Sequence, residues 1–147
     1  MTDRVTADCV VYVLDVAERP GIAHAISAVF AHRGLSMRAL IADAHRSPAR
    51  VLVVFEGTAR QRRLVAQVLA RLHDVQAIRT LPADSPELRA IAICKARGGL
   101  PAVPDVSLQS LGSSWLLSGS YAAVDRALLH WQAAGLIESV SRSLVAQ

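Results

Sequence analysis

The sequence predicts an α+β protein in which helices cover one face of an antiparallel sheet. In the first half of the chain, runs of β-branched and other apolar residues alternate with segments whose apolar residues recur at helical spacing. Their order, βαββαβ, is the split βαβ arrangement, with two helices on a four-stranded sheet. After residue 82 the pattern partly recurs, and 147 residues leave room for one ordinary domain or two small ones. We therefore expect two related units.

The elements of the first half follow from local patterns. A strand is predicted over 8–15, because the unbroken apolar run from Cys9 to Leu14 suits a strand buried within a sheet. A helix is expected from Ile22, where apolar residues mark one helical face, and Gly34 stands where a C-cap is expected. The other elements are predicted at 35–44 and 50–56 as a hairpin, 59–73 as a helix and 74–81 as a strand. Together they form a ferredoxin-like domain over 1–82.

The second half, 83–147, begins within a predicted linker at 82–86 and lacks one element. Strands are predicted at 88–96, 103–111, 115–118 and 137–146, and a helix at 122–134. The segment 97–102 (RGGLPA) is too short and too rich in Gly and Pro for a helix. The order is therefore βββαβ, a half that has lost its first helix. We expect its uncovered sheet face to be buried against the first half or another chain.

Composition and charge argue against several classes of protein. A hydrophobic fraction of 52% excludes a disordered chain. The net charge of +4 comes from basic residues spread between Arg4 and Arg142, with few aromatic residues among them, which argues against nucleic-acid binding. No apolar run reaches the ~18 residues of a membrane helix. The segment Met1–Asp8 contains two acids and lacks the regions of a signal peptide. We expect a cytoplasmic protein without a membrane or nucleic-acid partner.

The turn Glu18–Ile22, between the first strand and the first helix, is a candidate ligand site. The first turn of a helix presents unpaired N–H groups and a partial positive charge, and glycine lets a ligand approach the backbone closely. A carboxylate is therefore a reasonable ligand there. Pro20 and Gly21 are also typical of a turn that only ends a strand and begins a helix, and the turn alone favours this second interpretation.

Patterns typical of catalysis and of metal binding are missing from the sequence. His24 and His32 are eight residues apart on one helix, hence about 12 Å apart along its axis, too far to share an ion. There is no nucleophile elbow, no pair of carboxylates in surroundings that would raise a pKa, no phosphate loop and no dinucleotide motif. Cys9 and Cys94 lie in apolar strands and are expected to be reduced core thiols. We expect no catalytic residue, no metal site and no enzymatic activity in this chain.

Two further features leave alternatives open. The second predicted helix carries four arginines, Arg60, Arg62, Arg63 and Arg71. They either form a solvated helix face or contact an acidic partner. Trp115 and Trp131 either fill the core or, beside the missing helix, anchor a partner surface.

Several segments of the chain follow one another in a characteristic order. They are PGI at 20–22 with FAHRGLSMRAL at 30–40, LHDVQAIR at 72–79, ELRAIAICKA at 87–96, and the stretch from Gly119 through a strand over 137–144. In order and spacing they resemble segments of the regulatory small subunit of acetolactate (acetohydroxyacid) synthase. The corresponding segments of that family are its Gly turn, its FxxRG and LVDV segments, its ERELxLxK strand and its C-terminal end. The resemblance extends over nearly the whole chain.

This resemblance implies an ACT domain over 1–82 and a small C-terminal domain over 83–147. Such subunits are not catalysts. They form dimers through their ACT domains, and they activate a catalytic subunit that joins 2-oxoacids after decarboxylation. Thiamin diphosphate, FAD and Mg²⁺ would belong to that catalytic partner, with no cofactor in this chain. Many members of this family confer feedback inhibition by valine. Two alternative functions remain for this chain: a stand-alone ACT-type amino-acid sensor, or a structural module of a larger biosynthetic assembly.

The resemblance also implies an effector site where two ACT domains meet. The turn Pro20-Gly21-Ile22 would offer the N–H groups of Gly21 and Ile22 to the effector carboxylate. Arg19 and Ser36 stand where the family usually has asparagines that hold the amino acid. Arg19 can only donate hydrogen bonds, whereas an asparagine amide also accepts them, and Ser36 has a shorter reach. With the shortened hairpin turn between Arg46 and Arg50 and the missing helix, these departures imply that valine feedback is weakened or lost.

Overall fold

Residues 8–147, which the computed structural model describes, form eight strands and three helices. The predicted absence of a signal peptide rests on residues that lie largely outside this range. The chain divides into two compact units, Met1–Ala83 and Asp84–Gln147. Each contains one four-stranded antiparallel sheet, so the predicted α+β class and the order of elements are confirmed.

The first unit is a ferredoxin-like βαββαβ fold. Its elements are β1 (Cys9–Val16), α1 (Ile22–Ala31), β2 (Met37–Asp43), β3 (Ala49–Glu56), α2 (Ala59–Ala70) and β4 (Val75–Pro82). The strands lie in the order β2-β3-β1-β4, and all neighbours are antiparallel. The central strands β1 and β3 are almost wholly buried, as their unbroken apolar sequences predict.

Alternate residues of β1 face the two helices. Tyr12 and Leu14 pack with Phe55 of β3, Phe30 of α1 and Leu69 of α2 in one apolar cluster. The rings of Phe30 and Phe55 meet edge to face with centroids 5.4 Å apart. The hydroxyl of Tyr12 donates a hydrogen bond to the Arg62 carbonyl oxygen of α2 at 2.8 Å, so the buried phenol is satisfied.

Substitution of Tyr12 by Phe is expected to make the protein less sensitive to alkali. Burial raises the pKa of Tyr12 to about 12, although the Arg62 guanidinium acts in the opposite direction. The unfolded chain therefore loses this proton at lower pH than the folded chain, and stability falls as the pH rises from about 10 towards 12. Between pH 9 and 11, urea denaturation should show a loss of unfolding free energy about 1 kcal/mol larger for the wild type than for Tyr12→Phe. Equal losses of unfolding free energy in the two proteins would show that the ionisation of Tyr12 does not contribute to the sensitivity to alkali.

The second unit repeats this topology without its first helix. Its elements are β5 (Leu88–Ala96), β6 (Val106–Ser110), β7 (Ser114–Ser120), α3 (Tyr121–Ala133) and β8 (Ile137–Ala146), with strand order β6-β7-β5-β8. This order corresponds strand for strand to the first sheet, and the chain from Arg97 to Asp105 contains no helix where the first unit has α1. The predicted βββαβ half is confirmed. Trp131 of α3 is fully buried, whereas Trp115 of β7 is only partly so.

Equivalent capping residues begin the last helix of each unit. Thr58 caps α2 and forms a reciprocal capping box with Gln61, and Ser120 caps α3 by accepting a hydrogen bond from the Ala123 N–H. In each case a glycine directly precedes the cap in sequence. In the second unit that glycine is Gly119, where an added Cβ would lie 2.4 Å from the Asp105 carbonyl oxygen.

Several predicted boundaries were wrong by a few residues, for identifiable reasons. The helix α2 ends at Ala70 and not at residue 73, because the chain turns through Arg71 before β4. The strand β6 begins only at Val106, since Pro104 has no N–H to donate and Asp105 has a positive φ of 62°. Gly34 lies just after the end of α1, as predicted. Its N–H donates to the Ala31 carbonyl oxygen, and the Leu35 N–H donates to the Phe30 carbonyl oxygen.

None of the helices within residues 8–147 is long and apolar enough to cross a membrane.

Candidate functional site

The turn between β1 and α1 presents an uncapped helix end at the surface. Gly21 is the N-cap of α1, and no side chain donates or accepts a capping hydrogen bond there. Its φ of 90° is the left-handed conformation that favours glycine. An added Cβ would meet no atom within 4 Å, so the backbone conformation and not crowding requires glycine here. The Ile22 N–H donates to the Arg19 carbonyl oxygen at 3.3 Å, so the later amides of the first turn of α1 are those left for an acceptor such as a carboxylate.

Arg19 lies beside this helix end and is held by Asp74. The Arg19 Nε is 3.5 Å from Asp74 Oδ1, and the Arg19 side chain remains 63% exposed. The Ala17 N–H also donates to the Asp74 carbonyl oxygen at 2.8 Å, which fixes the turn against the chain between α2 and β4. Arg19, Pro20, Gly21 and Ile22 are thus brought together, as the sequence predicts.

Ser36, the fifth predicted site residue, lies at the other end of the same sheet. The turn follows Val16, which pairs with Ala49 at the start of β3. Ser36 precedes Met37, which pairs with Phe55 at the end of β3. Six residues of strand separate these pairs, a distance of about 20 Å. One chain therefore does not bring Ser36 to the Gly21 turn, and a ligand that contacts both requires a second chain.

Ser36 instead lines a polar cavity of about 480 Å³ in the first unit. The other lining residues are Asp8, Arg38, Glu56, Gly57, Thr58 and Gln61. Arg38 forms an ion pair with Glu56 on the neighbouring strand, and Thr58 and Gln61 are engaged in the capping box of α2. Apart from Gly57, the lining residues are polar or charged, so the cavity offers an acid and a base to a ligand.

Sequence reasoning missed Arg38 and Glu56. They meet across the β2–β3 pairing, in which the register shifts between Met37 and Ala39. The only signal in the sequence is a pair of opposite charges at the start of one predicted strand and at the end of the next. Antiparallel pairing brings those two positions together.

The structure gives no arrangement for catalysis by cysteine or for a metal. Cys9 and Cys94 are both buried, and burial raises the pKa of the Cys94 thiol, which disfavours the reactive thiolate. Within residues 8–147, no group of three His, Cys, Asp or Glu side chains could hold a metal ion. His24 and His32 are exposed on α1.

The fold of the whole chain matches that of a known regulatory subunit. The crystal structure of the small subunit of acetolactate synthase from Thermotoga maritima superposes with a TM-score of 0.61 and 15% sequence identity, over 95% of this chain and 94% of that one. The two share a fold over nearly the full length of both chains.

Weaker similarity extends to two further regulatory proteins. The regulatory subunits of aspartate kinase from Thermus thermophilus and Thermus flavus give TM-scores of 0.47 and 0.45, with identities of 16% and 15%. The match to the Thermus thermophilus protein covers 84% of this chain and 93% of that one. The match to the Thermus flavus protein covers 83% of this chain and 90% of that one. No known protein-family model matches the chain. No curated protein matches it at a significant level.

Proposed function

We propose that this protein is a non-catalytic regulatory subunit that pairs through its first unit and activates an acetolactate synthase-type catalytic subunit. The observation that carries the proposal is a fold shared over nearly the full length of both chains with the Thermotoga small subunit. The order of the PGI turn, the FxxRG segment and the strand over 87–96 adds independent support from sequence. Thiamin diphosphate, FAD and Mg²⁺ belong in this scheme to the catalytic partner.

The geometry of the first unit supports an effector site shared by two copies. The Gly21 turn and Ser36 lie at opposite ends of one sheet, so a pair related by a two-fold axis can place the turn of one protomer beside Ser36 of its partner. The site then combines the α1 amides and Arg19 with the polar cavity around Arg38 and Glu56. Its chemistry suits the carboxylate and ammonium groups of an amino acid.

The proposal is tested by reconstitution. The thiamin-diphosphate-dependent synthase encoded in the same genome is purified with and without this chain, and complex formation is measured by sedimentation and turnover by acetolactate production. We expect a stable complex and a higher kcat in the presence of the chain. If the two proteins sediment separately and turnover is unchanged, the proposal is wrong.

The second candidate is a stand-alone amino-acid sensor, favoured by the accessible helix end at Gly21. A thermal-shift screen against amino acids separates it from the first. A ligand at 100 times its Kd stabilises the folded protein by about 2.7 kcal/mol. A clear shift with one amino acid, combined with no effect on the synthase, would favour the sensor.

Valine is expected to bind weakly or not at all. Arg19 presents only donors where a hydrogen-bond acceptor is needed for the ammonium group, and the Ser36 hydroxyl reaches less far than an asparagine amide. Calorimetry with valine should therefore give no measurable heat at millimolar ligand. Micromolar affinity would contradict this expectation, and Arg19→Asn should in that case change the affinity little.

A further inference from the structure

Two exposed arginines of α2, Arg60 and Arg63, and the exposed C-cap residue Arg71 form what we call the arginine stripe. Their spacing of three and eight residues places them on one face of the helix, over about 16 Å. The buried residues Val65 and Leu69 mark the opposite face, towards the sheet. The stripe therefore points away from the core of the first unit.

The arginines of the stripe have no ion-pair partner among residues 8–147. Arg62, the fourth arginine of this helix, behaves differently. Its Nε donates to the Gly57 carbonyl oxygen at 3.1 Å, and its Nη2 is 3.7 Å from Asp8 Oδ1. The structure thus distinguishes Arg62, which bonds to Gly57 and Asp8, from the three arginines of the stripe, which form no ion pair among residues 8–147. The sequence alone does not make this distinction.

The second unit shows that the fold does not require these arginines. Aligned on the caps Thr58 and Ser120, the positions of Arg60, Arg63 and Arg71 correspond to three residues of α3, namely Ala122, Asp125 and Ala133. Helices with the same place in the same topology therefore form with no arginine at these positions. Arg60 even lies in the first turn of α2, where a positive charge opposes the helix dipole.

We propose that the arginine stripe docks onto an acidic surface of the catalytic subunit, an inference that rests on the proposed function. Charge complementarity determines the partner: three guanidinium groups with no ion pair among residues 8–147, on a unit that carries the excess positive charge of the chain, select carboxylates. Leu64 lies among them with 43% of its surface exposed and adds an apolar contact. No aromatic side chain stands on α2 to stack on a base, so a protein surface suits the stripe better than a nucleic acid.

The test is charge reversal with a matched control. The stripe variant combines Arg60→Glu, Arg63→Glu and Arg71→Glu. The control variant makes the same change in net charge at exposed arginines elsewhere, with Arg46→Glu, Arg89→Glu and Arg126→Glu. Circular dichroism should show both folded, with melting temperatures within about 3 °C of wild type, because exposed charges contribute little to stability. Affinity for the catalytic subunit is then measured at low and high salt.

The stripe variant should bind the catalytic subunit about 100-fold more weakly than wild type, while the control variant binds within about threefold. Wild-type affinity should also fall with salt more steeply than that of the stripe variant. If the wild type binds and the stripe variant binds equally well, the docking surface is wrong and the proposed function stands. If the wild type forms no complex, both are wrong. Tighter binding of the wild type to duplex DNA than to the catalytic subunit, lost in the stripe variant, would overturn the inference in favour of nucleic acid.

Discussion

Replacement of Trp131 by alanine should lower the free energy of unfolding by about 3 kcal/mol. Trp131 is fully buried and is the largest such side chain among the described residues. It stands in α3 where the equivalent position of α2 holds the smaller Leu69, so the larger ring adds core volume in the unit that lacks a helix. Its indole N–H has no hydrogen-bond partner among residues 8–147, and the loss of this unsatisfied group offsets part of the cost.

Urea denaturation followed by far-ultraviolet circular dichroism measures this effect. Leu129→Ala is the matched control, because Leu129 lies on the same helix but is 50% exposed. It should change the unfolding free energy by no more than about 0.5 kcal/mol. A Trp131→Ala protein as stable as the Leu129→Ala protein would show that the indole is not part of the core.

Gly119→Ala should cost about 3 kcal/mol by a different mechanism. An added Cβ would lie 2.4 Å from the Asp105 carbonyl oxygen, a backbone atom that cannot swing aside as a side chain can. Asp105 directly precedes β6, and Gly119 pairs with Val106 at the start of that strand. The substitution should therefore push the beginning of β6 away from β7.

Hydrogen exchange provides the local readout. The amides of β6 should exchange faster in Gly119→Ala than in wild type, whereas those at the centre of β1 should be least affected. Gly99→Ala is the control, since a Cβ at Gly99 meets no atom within 4 Å. That change should be neutral or slightly stabilising, by about 0.5 kcal/mol, because it restricts the unfolded chain. Unchanged protection of β6 in Gly119→Ala would contradict the steric argument.

The elements of the fold were predictable because their causes are local. The apolar run from Cys9 to Leu14 predicts a central strand, apolar spacing predicts α1 and α2, and the segment 97–102 predicts a missing helix. The turn residues Arg19 to Ile22 were placed together for the same reason, since they are neighbours in sequence. The errors at boundaries came from single residues, such as Pro104, that end a strand earlier than the hydrophobic pattern indicates.

The contacts that depend on register were not predictable. The pairing of Arg38 with Glu56 requires the alignment of β2 with β3, including a shift between Met37 and Ala39. The separation of Ser36 from the Gly21 turn likewise depends on which end of β3 each of them reaches. Arg62 is distinguished from Arg60, Arg63 and Arg71 by the positions of the Gly57 carbonyl oxygen and the Asp8 carboxylate, which only the folded chain defines.

The distance between the Gly21 turn and Ser36 has a consequence for control in the cell. If an effector must contact both, its binding is linked by mass action to association of the protein, because a dissociated chain holds only half of each site. Dilution then weakens the apparent affinity for the effector, and the effector in turn opposes dissociation. Under the proposed function, the amount of the subunit that is synthesised would thereby set the effector concentration at which the subunit responds.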